Sequence, residues 1–571
     1  MKTYTYDCIV IGTGAAGYNA AIRLKQFGVN VAIVTEGVNV GTSRNTGSDK
    51  QTYYKLGLSG DSPDSVRKMA QNLFDGGCVD GDNALCEAAL SARCFMNLCE
   101  LGVPFPHNRY GEYVGYKTDH DPYERATSAG PLTSKFMTEA LQKNAENLKI
   151  ETFDGFRAIK ILKNGDRVCG IICLKGKNLF AFRCRDLIMA TGGPAGIYAD
   201  SVYPECHQGS TGLAIDAGAK MQNLALWQYG LASVFPRWNV SGTYMQVLPR
   251  FVSIDNEGNE HDFLWEYFFD KYWGLSLVFL KGYQWPFDPK KAENGSSLID
   301  MLVYYECVEK GRRVYLDFTK NPFDIDFSKL SDEAYDYLNR AEATFGTPIE
   351  RLKKMNAPAI ELYKSKGVDL YHEYLEIALC AQHNNGGIAV DAWWQTSVKG
   401  LFAAGECAGT HGIARPGGSA LNAGQVGSLR AAQYVSEHPN ELIDENEFSE
   451  IVSDFELKLD GNRDERISQA RRRMSDHAAA VRDTEKIKEI LEITLNELKN
   501  TADPFVKDVL LTQGAVLTAM SQPNTDPNSV QEIILTENGF ETSVRPVRPI
   551  PYEDAFFENV WRNYRENKNI Y

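Results

Sequence analysis

The run Asp7-Cys-Ile-Val-Ile-Gly-Thr-Gly-Ala-Ala-Gly17 holds the residues with the most evident chemistry, with Gly12, Gly14 and Gly17 in the spacing GxGxxG. The three glycines serve three physical ends: a tight turn, a close backbone approach to a pyrophosphate, and close packing of helix on strand. A helix opening at Ala15 and Ala16 turns free N–H groups and its positive dipole end toward phosphates. Glu36 follows a second apolar run, VNVAIVTEG, and stands where an acid takes ribose hydroxyls. The chemistry expected of this set is dinucleotide binding. A second group lies in the loop Tyr113–Arg125, where Tyr116, Lys117, His120 and Arg125 share a short span. Tyr116 and His120 are candidates for a part in catalysis, with an ordinary polar surface loop as the alternative. Lys50, in GSDKQTYYK, is a further candidate to face a ligand.

The elements that must position these groups follow from the apolar pattern. DCIVIG reads as a buried parallel strand, YNAAIRLKQFG as a helix and VNVAIVTEG as a second strand. Residues 63–102 alternate helix-like runs with small loops. Residues 156–189 read as a meander of short strands, with hairpin turns at Asn164-Gly165 and Lys175-Gly176. Its last strand, DLIMA, runs into Thr191-Gly192-Gly193, another backbone turn suited to close ligand approach. Residues 234–370 are rich in Trp, Tyr, Phe and Asp, and binding signals resume beyond them in HNNGGIAVD and GLFAAGECAG. That arrangement predicts an inserted domain. From Pro439 onward the pattern is long, charged and helical.

Composition bounds the reading. At 571 residues the chain is long enough for about four ordinary domains, and the motifs reduce this to three units. A formal charge of −15 argues against a general nucleic-acid or anionic-membrane binder, since both need a basic face. The twelve cysteines are scattered without a CxxC pair or a cluster at metal spacing. No metal site and no iron–sulfur cluster is therefore expected. With no signal peptide ahead of MKTYTYDCIVIG and no apolar run long enough for a bilayer, the expected compartment is cytoplasmic.

Several motifs together resemble the flavoprotein family of fumarate reductase, succinate dehydrogenase and L-aspartate oxidase. They are the N-terminal glycine loop, Ala190-Thr-Gly-Gly193, GLFAAGECAG, and Arg415-Pro-Gly-Gly-Ser-Ala-Leu421, with MSDHAAAVRD similar to the family's C-terminal helical segment. The resemblance touches nearly the whole chain, weakly in the insert. It implies an α/β fold: a Rossmann-like FAD-binding domain over 1–233 and 371–438, an inserted α+β capping domain over 234–370, and a helical C-terminal domain over 439–571. It also implies an enzyme in which FAD exchanges a hydride with a small organic substrate. Cofactor contacts are then expected from Thr191, Gly192, Gly405, Glu406 (FAD hydroxyls), and from Ser419, Ala420 and Leu421, which would bring a helix N-terminus to the flavin ring.

Three departures from the family pattern carry consequences. The stretch Arg44-Asn45-Thr46 replaces the family's Ser-His-Thr, so FAD is expected at these residues without a covalent histidyl bond, which disfavours oxidation of succinate. Gln228-Tyr229-Gly230-Leu231-Ala232 replaces Gln-Phe-His-Pro-Thr, removing two side chains that grip a dicarboxylate. Ser296 stands where the family places a proton-donating arginine, and Arg312 and Arg313 do not share that register. What remains is Arg415, matching the family's carboxylate-binding arginine, and either His383 or Gln382 beside the substrate. The reading is an FAD-dependent oxidoreductase acting on a polar carboxylate- or carbonyl-bearing molecule, ring-containing or sugar-like. The alternatives are an enoate reductase with a replaced proton donor, or an electron-transfer subunit working with a protein partner.

Overall fold

The computed structural model describes residues 1–61, 63–118, 120–204, 211–552 and 556–567. Five short strands form the central parallel sheet, all fully buried but the edge strand Glu151–Asp154, in the order Leu401–Ala403, Asp186–Met189, Cys8–Ile11, Val31–Thr35, Glu151–Asp154. The runs CIVI, DLIM and VAIVT are buried at every residue, as strands covered on both faces must be. The helix Ala15–Gln26 crosses between the first two strands of the chain's glycine motif and is sandwiched against the helix Ser419–Glu437. Two reciprocal bonds lock that pair: Asn19 Nδ2 donates to Gln425 O, and Gln425 Nε2 to Ala15 O, each at 3.0 Å. Segments four hundred residues apart thus open their helices at one place.

The meander forms as its turns predict. Strands Arg157–Asn164, Arg167–Lys175 and Asn178–Arg183 are joined by two-residue turns at Gly165 (φ +62°) and Gly176 (φ +60°). Strand Asp186–Met189 leaves the meander to enter the parallel sheet.

A six-stranded antiparallel sheet underlies the insert, in the order Trp238–Asn239, Trp227–Ser233, Leu375–Asn384, Arg313–Asp317, Arg250–Ile254, Glu260–His261. The two long strands reach from the insert toward the central parallel sheet and connect the two bodies physically. The aromatic stretch divides by role: Phe263, Phe268 and Phe279 are buried in cap cores, whereas Tyr283, Trp285 and Phe287 face a cavity.

Beyond residue 439, helices span Glu445–Ser453, Arg463–His477, Thr484–Lys499, Pro504–Ser521 and Phe557–Asn567. A hairpin precedes the last of these, Ser529–Thr536 with Gly539–Pro546, which the charged helical pattern does not announce. It adds to a small sheet through Met221–Gln222, and Arg545 pins it to Asp80 at 2.8 Å. Among the described residues no helix is long and apolar enough to cross a membrane.

Candidate active site

One continuous cavity of about 1640 Å³ runs from the glycine turn to the underside of the cap. At its nucleotide end the construction is backbone. Gly12 turns with φ +112°, and a Cβ there would lie 2.3 Å from Ala190 O. A Cβ on Gly17 would meet Gly12 O at 2.0 Å, so the helix can approach the strand only without side chains. The helix starts at Gly14 with no side-chain cap, and Gly12, Gly14, Ala15 and Ala16 all line the cavity. Ser43 supports this turn by accepting from Ala15 N at 3.2 Å. No motif marks Ser43; its one signal in the sequence is a small hydroxyl residue beside Arg44.

Thr191, Gly192, Gly405 and Glu406 bring the loops after two neighbouring parallel strands to the same wall. Gly405 has φ +80°, and a Cβ there would press on Ala16 at 2.9 Å. Glu36 sits at the rim, partly exposed, 3.5 Å from Arg157. Thr46 also lines the cavity, its hydroxyl donating to Val202 O at 2.8 Å. Its neighbours turn elsewhere: Arg44 bonds Gln142 and lies 3.7 Å from Glu139, while Asn45 donates to Asn39 O at 2.8 Å and Gly41 O at 3.0 Å. The second helix begins after Gly418, in the left-handed conformation (φ +87°) and without a side-chain cap. Its Ala420 and Leu421 reach the cavity, while Ser419 faces a separate small void. An uncapped helix N-terminus, a glycine cradle that a Cβ would fill and a rim acid fit the phosphates and ribose of a dinucleotide.

The other end is made of side chains from four distant segments. The paired strands Trp227–Ser233 and Leu375–Asn384 slip register, with Gln228 opposite His383 and Tyr229 opposite Ala381. Gln382 is the extra residue of that bulge, and a bulge re-aims side chains that would otherwise alternate. Both His383 and Gln382 therefore line the cavity, and the two readings of this register are not exclusive. Gln382 Nε2 donates to Gly230 O at 2.9 Å. Arg415 points into the same space, its Nη2 donating to Gln228 Oε1 at 2.8 Å.

Glu406 stands between the two ends. Tyr203 donates its hydroxyl to Glu406 Oε1, and His383 Nε2 lies 3.7 Å from that oxygen. Burial pushes the Glu406 carboxyl up to about 7, with the Tyr203 hydrogen bond and the Arg415 charge opposing the rise. Burial, then the Arg415 and His411 neighbours, drives His383 well below the usual imidazole range, so it is neutral. Asn385 sets its tautomer: Nδ2 of Asn385 donates to Gly412 O at 2.7 Å, leaving Oδ1 to receive the His383 Nδ1 proton at 3.2 Å. The Nε2 lone pair then faces Glu406. Burial also lowers Arg415 to about 10, which still leaves it charged at neutral pH.

Tyr116 lines the cavity with its hydroxyl 2.7 Å from Thr52 Oγ1, and burial raises its phenol. His120 and Lys117 line the cavity mouth, His120 with φ +61°, and Lys50 joins them; Asp119 lies outside the described residues. Arg125 is fully buried and held by Asp64 at 2.7 Å and Asp121 at 3.3 Å, a structural post away from the cavity. From the cap, Tyr283, Trp285, Phe287, Lys290 and Lys291 roof the space. Lys281 anchors that roof: its ammonium donates to Gln284 O (3.1 Å) and Trp285 O (2.7 Å) and pairs with buried Asp300 at 2.6 Å. Ser296 is buried with its hydroxyl on Gln284 Oε1 at 2.9 Å. Arg312 and Arg313 pair with Glu306 (3.0 Å) and Glu376 (3.8 Å), off the cavity.

A glycine-turn cradle continuous with a largely enclosed arginine–histidine–glutamate cluster under a cap fits a flavoprotein oxidoreductase. The FAD binding domain family matches residues 7–421, and the chain belongs to that family. It is an FAD-dependent oxidoreductase related to the fumarate reductase and succinate dehydrogenase flavoproteins. It is 26% identical over 491 residues to a subunit of the CoM/CoB fumarate reductase of Methanothermobacter marburgensis, covering 81% of each chain. It is 24% identical to L-aspartate oxidase of Mesorhizobium japonicum, over 75% of this chain and 74% of that one. In fold it is similar to Mycobacterium smegmatis Sdh1 in complex with UQ1, with a TM-score of 0.73 at 19% identity, covering 97% and 96% of the two chains.

Proposed function

We propose that the protein exchanges a hydride between non-covalently bound FAD and an anionic organic substrate larger than a simple dicarboxylate. FAD, when bound along the Gly12–Gly17 turn, supplies the hydride chemistry. The observation that carries the substrate reading is Arg415: half-buried, charged, and bonded to a neutral glutamine rather than to a carboxylate. A guanidinium held this way keeps its charge for an acid or carbonyl on the substrate. Trp285 and Phe287 offer flat apolar surface for a ring, and Lys290 and Lys291 favour negative charge at the roof.

His383 Nε2 presents its lone pair 3.7 Å from the Glu406 carboxyl, which burial raises to about 7, so Glu406 can hold a proton at neutral pH beside a neutral imidazole. That pair can deliver a proton to a substrate carbon or take one from a hydroxyl, replacing the arginine that the family motif places at Ser296. Arg44-Asn45-Thr46 offers no histidine for a covalent flavin bond. The relative named as a subunit supports a protein partner that carries electrons to or from the flavin.

The test is anaerobic. A panel of carboxylates and ring-bearing carbonyl acids is screened for bleaching of bound flavin, or for reoxidation of chemically reduced flavin. Arg415→Met should retain FAD yet lower kcat/KM for the responsive compound 10- to 100-fold, about 1.5–3 kcal/mol. Rapid turnover of fumarate by the wild-type protein would sink the larger-substrate reading. It would leave an enoate reductase using the His383–Glu406 proton.

A further inference from the structure

Behind Arg415, on the side away from the large cavity, lies a second void of about 10 Å³. That is close to the space one water molecule needs. Its lining includes Glu87, Thr410, His411, Arg415 and Ser419. Four buried polar atoms on it have no hydrogen-bond partner among the described residues: Glu87 Oε1, His411 Nε2, Arg415 Nε and Ser419 Oγ. Buried polar atoms are seldom left so, and four on one void of this size is a concentration that wants a ligand. Glu87, His411 and Ser419 are only 4%, 5% and 3% exposed.

We propose that this void binds one ordered water, and that through it Glu87 positions the Arg415 guanidinium that faces the large cavity. The donor and acceptor count closes. Arg415 Nε–H and Ser419 Oγ–H donate to the water, and the water donates to His411 Nε2 and Glu87 Oε1. His411 presents Nε2 as an acceptor because burial keeps the ring neutral, while its Nδ1 lies 3.5 Å from Thr410 Oγ1. Burial also raises the Glu87 carboxyl, to about 8, so that a neutral acid rather than a competing counter-ion stands behind Arg415. The charged and titratable groups around Glu87 are His411 and Arg415 across the void and Cys86 on its own helix. The helices Val66–Phe74 and Ser419–Glu437 bring apolar Leu73 and neutral Ser419 to the void. Arg415 thus has two working edges: Nη2 toward Gln228 and the substrate space, and Nε toward the water.

The site does not depend on which substrate the cavity takes, and its test needs no turnover. A high-resolution crystal structure of the FAD-loaded full chain should show one water within hydrogen-bond distance of all four atoms. In infrared spectra of the same protein, a protonated-carboxyl band assigned by its loss in Glu87→Gln should titrate with pH. In Arg415→Met, where Nε–H no longer donates, the water should be lost or displaced and the Glu87 carboxyl band should shift in frequency as its hydrogen bond from the water goes. Featureless density in the void of the unsubstituted protein, or a Glu87 carboxyl band unmoved in Arg415→Met, would overturn the proposal.

Discussion

The nucleotide end and the substrate end of the cavity are built from different materials. The first is backbone: Gly12 and Gly17 meet at a separation no Cβ tolerates, and the helix behind them carries no side-chain cap. The second is side chains drawn from residues 228, 383, 406 and 415, held by a strand bulge and by a cap loop. A backbone cradle can recognise only what all dinucleotides share, whereas a side-chain cluster can be exchanged one residue at a time. The nucleotide end should therefore fail all at once. Gly17→Ala places a methyl 2.0 Å from Gly12 O, and the purified protein should lose its flavin absorbance outright. Gly424→Ala is the control at the same helix crossing: its Cβ would sit 3.5 Å from Gly405 Cα, an ordinary contact, and flavin should be retained. Equal flavin content in the two variants would break the contrast.

The substrate end should fail by degrees, and its roof is the place to see this. Lys281 and Asp300 are both wholly buried, and their pair holds the carbonyls of Gln284 and Trp285 over the cavity. Asp300→Ala leaves an ammonium without its counter-ion, at a cost of about 3–5 kcal/mol. Urea unfolding of the variant should show that loss, while flavin binding to the folded fraction persists. The double substitution Lys281→Met with Asp300→Ala should recover much of the stability, since the stranded charge is gone. Substrate affinity should stay weakened in the double variant, because the roof carbonyls have lost their donor.

The same difference in material explains what could be read from sequence. Glycine spacing is a local signal, so Gly12, Gly14, Gly17, Thr191-Gly192 and Gly405-Glu406 are legible in the chain itself as turns, and the fold gathers them around one end of the cavity. The parallel strands are legible because strands buried on both faces are continuous apolar runs. The substrate cluster is only half legible. Arg415 comes from its motif, but Gln228 as its partner depends on a strand register, and the choice between His383 and Gln382 dissolves because a bulge aims both inward. Arg44 shows the opposite failure: adjacency in sequence to Thr46 places it at the cofactor, yet one turn of helix directs it to Gln142. Ser43, Tyr203, His411 and Glu87 carry no motif, since each gains meaning only from atoms brought beside it by remote segments. The C-terminal hairpin is hidden by the charged helices before it.

The smallest effect separates the two ends by pH, and its sign is set by burial. His383 and His411 are buried and neutral, with folded values far below the ordinary 6.5 (about 3 for His411). Their contribution is whole above pH 6.5 and is lost as pH falls below it, because the unfolded chain then binds protons that the folded chain refuses. Glu406 and Glu87 do the reverse. Their folded values are raised from 4.5 to about 7 and about 8, so their contribution is whole below pH 4.5 and declines as pH rises toward those values. Between pH 4.5 and 6.5 two slopes of opposite sign therefore oppose one another, and the wild-type apoprotein should show little pH dependence from this cluster. Removing one member unmasks the balance. Relative to wild type, His411→Asn should gain about 1 kcal/mol as pH falls from 6.5 to 5.5, and Glu406→Gln should lose a similar amount over the same step. Gly424→Ala, at the backbone-built end, should follow wild type throughout. Parallel curves for all four proteins in urea titrations at those two pH values would mean that these side chains are open to bulk water, and that the two ends do not differ in this respect.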